Sequence, residues 1–259
     1  EWYRVEGEGD FGDESHGMMV NSVRVYRREE TRAGQALSSY LVPKLNRQRI
    51  NDEGERILRH YCPEALVEPV RISAKLLAER MGLRVRYLPL ASFDDVLGLL
   101  FFRDSHVNVV DRKTGEIVQE NVETGTIVIN ARTVARDNLQ KMTQVVIHEC
   151  THNIEHDLFY RFQRMYNEEI AFMVCPSQID VTYNDPNDPM RWIEWQANEI
   201  TRCVQMPEST TKIKVNELLR KNEAHGFCFD RAWVFERTVK ELAEFFGVSR
   251  HQARRRMID

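Results

Sequence analysis

The sequence predicts an α+β fold: a small, mostly antiparallel sheet packed on two long helices, with a C-terminal helical hairpin. Three observations lead there. Five short apolar or alternating runs fall between residues 83 and 130, separated in part by the turn sequences "DRKTGE" and "ETG". Two later segments carry apolar residues at helical spacing, "DNLQKMTQVVIHECTHNIEHDLFYRFQRM" and "WIEWQANEITRCVQM". Finally, residues 236–259 hold two short amphipathic stretches about Gly247.

Taken in order, residues 1–45 are polar, rich in Gly, Glu and Arg, and read as a weakly ordered N-terminal extension. "NDEGERILRHY" then reads as a capped helix from Asn51, with Ile57, Leu58 and Tyr61 on one face. In "ISAKLLAERMG", Ser73 is the N-cap, Leu76, Leu77 and Met81 point inward, and Gly82 terminates. "LRVRYLPL" alternates as a half-buried strand does. "VLGLLFF", "VNVV", "EIVQ" and "TIVIN" are the other four strands. The first long helix buries Met142, Val145, Val146, Ile154, Leu158 and Phe162. Residues 175–191, with three prolines, form a loop, and the second long helix stops at Pro207. The chain divides into an extension (1–45), a main domain (46–235) and the C-terminal hairpin (236–259).

Bulk properties exclude several classes. The 259 residues suffice for one large domain or one domain with an appendage. With 36 basic and 40 acidic residues the net charge is −4, which argues against a dominant nucleic-acid surface. The five cysteines are an odd number without paired spacing and read as reduced cytosolic thiols. No stretch reaches the length of a membrane span and no signal-peptide pattern is seen, so a cytoplasmic protein is expected.

The chemistry concentrates in the first long helix. His148, Glu149 and His152 form H-E-x-x-H. Positions i and i+4 of a helix share a face, so both imidazoles can reach one ion. Zinc takes such nitrogens at about 2.0–2.1 Å in a tetrahedral set that leaves one position open. It lowers the pKa of its water to roughly 7, and Glu149, beside the first ligand, can take that proton. His156 lies about 12 Å along a straight helix from His148, too far to share the ion. A solvated or outer-partner role is expected for it instead. Glu194, which opens "EWQAN", is the best third ligand, with Glu199, Glu168 and Glu169 as alternative carboxylates. Ala197 is small enough to let the second helix approach the first. Asn198, one turn after Glu194, can accept the outer N–H of a ligand histidine and fix its tautomer. Cys150 lies about 200° around the helix from His148 and faces the core.

The order of sheet, "VVIHECTH", "EWQANEITRCVQMP" and "LAEFFGVSRHQARRRM" resembles the ImmA/IrrE family of bacterial and phage zinc metallopeptidases, with a gluzincin-type site. The match rests on the HExxH and on Glu194, Ala197, Asn198, Met206 and Pro207; Ile200, Thr201, Cys150 and Thr151 depart from the family pattern. The resemblance implies that His148, His152 and Glu194 bind Zn2+, that Glu149 is the general base, and that a zincin-type helix packs on the sheet. It also implies cleavage of a protein substrate, such as a helix-turn-helix repressor of a mobile element or stress response. A residue that stabilises the oxyanion is expected too, with Tyr183, His225 and Arg202 as candidates.

The C-terminal hairpin has helix-turn-helix spacing, with Gly247 at the turn, Ser249 as N-cap and Ala243, Ala253 and Met257 inward. Arg250, Arg254, Arg255 and Arg256 make it basic. DNA binding is possible on that pattern, but a packing hairpin whose arginines complement a helix C-terminus is favoured.

Overall fold

The computed structural model describes residues 3–8, 19–25, 37–91, 95–134, 139–167, 170–176, 188–224 and 231–258. The chain forms two compact units, Glu1–Lys44 and Leu45–Asp259, so residues 236–259 belong to the larger one.

In the first unit, β1 (Tyr3–Glu8) pairs antiparallel with β2 (Met19–Val25), with a register shift between Glu6 and Gly7. The sequence reading placed only a polar extension here. Ten residues, 9–18, separate the strands instead of a two-residue connection, so local chemistry does not announce the pairing.

The larger unit opens with α1 (Arg47–Tyr61), which starts a turn earlier than expected because Asn46 is the cap: its side chain accepts from Arg49 N at 2.9 Å. Asn51 lies inside the helix. Ile50, Ile57 and Leu58 are buried. After a 3-10 turn at Pro63–Leu66 comes α2 (Ala74–Arg80), capped by Ser73. It ends in a Schellman motif, with Gly82 at φ +73° and Leu83 N donating to Ala78 O at 2.8 Å. Ala74, Leu77 and Ala78 form its buried face, and Leu76, expected inside, is exposed on the other.

β3 (Arg84–Leu88), β4 (Val96–Phe101), β7 (Thr126–Asn130) and β8 (Phe172–Pro176) form a sheet ordered β3-β7-β4-β8, in which only the β3–β7 pair is parallel. β5 (Ser105–Val110) and β6 (Ile117–Val122) form their own two-stranded ladder rather than joining that sheet; a bridge between Leu90 and Val109 adjoins it. The α+β class, with small and mostly antiparallel sheets, is as expected. β4 and β7 are buried along their whole length, which explains why both read as unbroken apolar runs. On one face Leu99, Phe101 and Val128 pack with Val107, Val109 and Val122 of the β5–β6 ladder. On the other lies the motif helix, close enough that a Cβ at Gly98 would come 2.8 Å from Val145 Cγ1.

After α3 (Ala131–Val134), the expected single long helix is two: α4 (Leu139–Glu155) and α5 (Asp157–Tyr166). The kink is at His156, φ −115° and ψ 8°, and helical hydrogen bonding continues through it, from His156 N to His152 O (3.0 Å) and from Tyr160 N to His156 O (3.1 Å). The buried face keeps its helical spacing across His156. Phe159 and Tyr160 are buried, while Leu158, expected in the buried stripe, is exposed. β8 follows within a segment read partly as loop, where a five-residue apolar run gives no decisive period.

α6 (Pro189–Gln205) has Pro189 in its first turn and Asp188 as cap, accepting from Arg191 N at 3.2 Å. α6 packs on α1, where a Cβ at Gly54 would lie 2.6 Å from Cys203 Cβ. α7 (Glu208–Ala224), not anticipated, precedes α8 (Arg231–Phe246) and α9 (Arg250–Ile258). Gly247 turns between the last two at φ +68°, and Ser249 and Gln252 form a reciprocal cap. Ala243, Val248 and Ala253 enter a cluster with Leu218 and Met206, and Met257 packs against it. No described helix is long and apolar enough to cross a membrane.

Candidate metal centre

The motif occupies the last two turns of α4, where every residue from Val145 to His152 is buried. A helix so enclosed can be apolar on one side against the sheet and polar on the other only if the polar side chains find partners. His148 and His152 find theirs on α6. His148 Nε2 lies 3.1 Å from Glu194 Oε2 and 2.9 Å from His152 Nε2, and His152 Nε2 lies 3.5 Å from Glu194 Oε1. Among the described residues, His148, His152 and Glu194 are the group that can hold a metal ion.

The donor geometry fits such an ion. Two ligands at about 2.0–2.1 Å in tetrahedral arrangement stand roughly 3.3 Å apart, and the three observed separations fall on both sides of that value. Ala197 is fully buried one turn beyond Ile193, which lets α6 come close to α4. Asn198 Nδ2 donates to Glu194 O at 2.9 Å, and a side-chain hydrogen bond from Asn198 also acts on His148.

Electrostatics follow from burial and charge. Burial opposes protonation of His148, but the Glu194 hydrogen bond and carboxylate, then Glu149 and Asn198, outweigh it and raise its pKa. Burial pushes Glu194 up, but the two imidazoles overrule it and hold the carboxyl well below the usual carboxylate range. Burial pushes His152 down despite Glu194. His156, whose burial is reinforced by the neighbouring His152, falls well below the ordinary histidine value. Glu149 is fully buried beside His148.

His156 is not a third ligand, nor is it solvated. It is fully buried, with Nδ1 2.9 Å from His152 Nδ1 and Nε2 3.1 Å from Gln196 Oε1. Gln196, which the sequence reading did not single out, is two residues beyond Glu194 on the same helix. Its partner lies on another element, so spacing along α6 does not point to it. Tyr160 stands edge-on to His152, with ring centroids 6.1 Å apart.

The other candidates are placed elsewhere. Glu199 is bound by Arg202 (2.5 Å) and Arg255 (2.9 Å), so neither it nor Arg202 joins the cluster. Cys150 is buried outside the donor group, and burial, with Glu149 beside it, pushes its thiol well up. Cys62, Cys150 and Cys203 are buried thiols rather than halves of a disulfide, and the Cys203 thiol donates to Asn51 Oδ1 at 3.0 Å. Tyr183, His225, Glu168 and Glu169 lie outside the described residues, as do the side chains of Cys175 and Cys228.

No family model and no curated protein matches this chain.

Proposed function

We propose that the chain is a zinc-dependent endopeptidase acting on a protein substrate. The observation that carries this reading is the convergence of His148, His152 and Glu194 from two helices, with the Glu149 carboxyl buried beside the first of them. Two imidazoles and one carboxylate are a donor set that catalytic zinc takes, with a fourth position left for chemistry. When bound, zinc supplies Lewis acidity that polarises a carbonyl and acidifies water.

The residues do the rest. Glu149, one position from a ligand, takes a proton from the attacking water on its carboxylate and returns it to the leaving amine. Asn198 and the partners of His152 hold the imidazoles in orientation. An extended substrate would add to an edge of the four-stranded sheet, β3 or β8, through main-chain hydrogen bonds. The resemblance to ImmA/IrrE peptidases points to a regulatory repressor as the substrate class.

One observation favours a second reading. All four groups are buried, Glu194 most exposed at 7%. An ion so enclosed would hold α4 and α6 together, and a partner would bind the fold it stabilises without being cut. The Glu149→Gln variant separates the two. The peptidase reading requires that it bind zinc like the wild type and cut nothing; partner binding alone requires that the wild type cut nothing either.

A further inference from the structure

We infer that His156 and Gln196 form a hydrogen-bond relay that fixes the tautomer of His152 and so presents its Nε2 lone pair to the metal. The inference rests on the metal-binding half of the proposed function, and adds two positioning residues outside the donor set.

The contacts are continuous and buried. Gln196 Oε1, His156 Nε2, His156 Nδ1 and His152 Nδ1 follow one another at 3.1 Å and 2.9 Å across the two contacts, and all three residues are fully buried. No water is needed to complete it. Proton placement can then be deduced. A ligating His152 must keep Nε2 bare, so its proton sits on Nδ1. That N–H faces His156 Nδ1, which must therefore accept. A neutral His156 carries its proton on Nε2 and donates to Gln196 Oε1. The opposite order would require the amide nitrogen of Gln196 to face His156. His152 Nδ1 would then be the acceptor and Nε2 would carry a proton in the place of the ion. An acceptor at the Gln196 position thus goes with the ligating form of His152.

The spacing serves the same end. His156 stands one turn after His152, as His152 stands after His148. The first pair meets through Nε2 and the second through Nδ1. His152 is thereby held by both ring nitrogens.

The test uses the full chain and Zn2+ in competition with a chromogenic chelator, with the ring-nitrogen NMR spectrum of the metal-free protein as a second readout. Gln196→Met keeps the length and removes the acceptor; Gln196→Glu keeps an acceptor. Expected are a loss of zinc affinity of about 10–100-fold for Gln196→Met, the size typical of such outer partners, and affinity near wild type for Gln196→Glu. His152 should show a protonated Nδ1 in the wild type and a mixture of tautomers in Gln196→Met. His156→Phe should lose at least as much affinity, and circular dichroism checks that each variant is folded. Folded Gln196→Met with unchanged affinity, or a wild-type His152 protonated on Nε2, overturns the relay alone. A wild type that binds no zinc overturns the metal reading and the relay with it.

Discussion

Arg256 Nε donates to Met206 O at 2.9 Å, so the last helix of the chain closes the C-terminal end of the helix that carries Glu194. The same guanidinium donates through Nη1 to Asn51 Oδ1 at 2.7 Å, tying in α1. A cation at a helix C-terminus meets both an orphan carbonyl and the negative end of the macrodipole. Three of the four arginines that make the hairpin basic are therefore engaged in the fold: Arg255 on Glu199, Arg254 on Glu236, and Arg256 inside, while Arg250 is exposed. Replacing Arg256 with Ala should cost about 1.5–3 kcal/mol, the range for hydrogen bonds from a charged group. Urea unfolding of the metal-free chain measures it, and a loss under about 0.5 kcal/mol, the usual surface value, would contradict it.

Gly54 gives a second packing prediction. An added methyl would sit 2.6 Å from Cys203 Cβ, within two facing helices. Gly54→Ala gains up to about 1 kcal/mol of helix propensity. Overpacking of this kind costs typically 1–3 kcal/mol. The net effect should be destabilising and should also weaken zinc binding, because α6 must move to relieve the clash. Equal or greater stability in a thermal melt would contradict this.

The third-ligand assignment predicts that Glu194→Ala weakens zinc binding by more than the 10–100-fold typical of an outer partner. Glu199→Ala should not reproduce it, since Glu199 faces Arg202 and Arg255 instead. Chelator competition on the two variants decides the matter. Full zinc affinity in Glu194→Ala would remove it from the donor set.

The histidines set a pH dependence for the metal-free chain. His148 has a raised pKa, so its contribution to stability is present below the ordinary histidine value and lost as pH rises through its folded value. His152 and His156 have lowered values, so below the ordinary histidine pKa the unfolded chain binds protons that the folded chain refuses. Glu194, far below the carboxylate range, does not titrate in that window. Two groups oppose one, and stability should fall between pH 7 and pH 5. Denaturant midpoints measured without metal test the sign; a midpoint that rises on acidification would contradict it.

How much of this was legible depended on how local the signal was. The strands "VLGLLFF" and "TIVIN", the caps at Ser73 and Ser249, and the turns at Gly82 and Gly247 are written in neighbouring residues. His148, Glu149 and His152 are legible for the same reason, since one helix turn fixes their relation. Glu194 was preferred to Glu199 on Ala197 and Asn198 beside it, both legible along one helix, and it is Glu194 that meets the histidines. His156 was expected to be solvated or an outer partner, and it is the outer partner; Leu158 was misplaced because it lies about 220° around the helix from Val145. Gln196 was hidden because its partner comes from another helix. The β1–β2 pair and β8 depend on partners that no neighbouring turn specifies.

The most direct test is a survey of protein termini in a host lysate incubated with the zinc-loaded wild type or with zinc-loaded Glu149→Gln. The account predicts new termini with the wild type alone, at one or a few sites in a regulatory protein. Equal zinc binding by both proteins, with no terminus that distinguishes them, would contradict a peptidase whose base is Glu149.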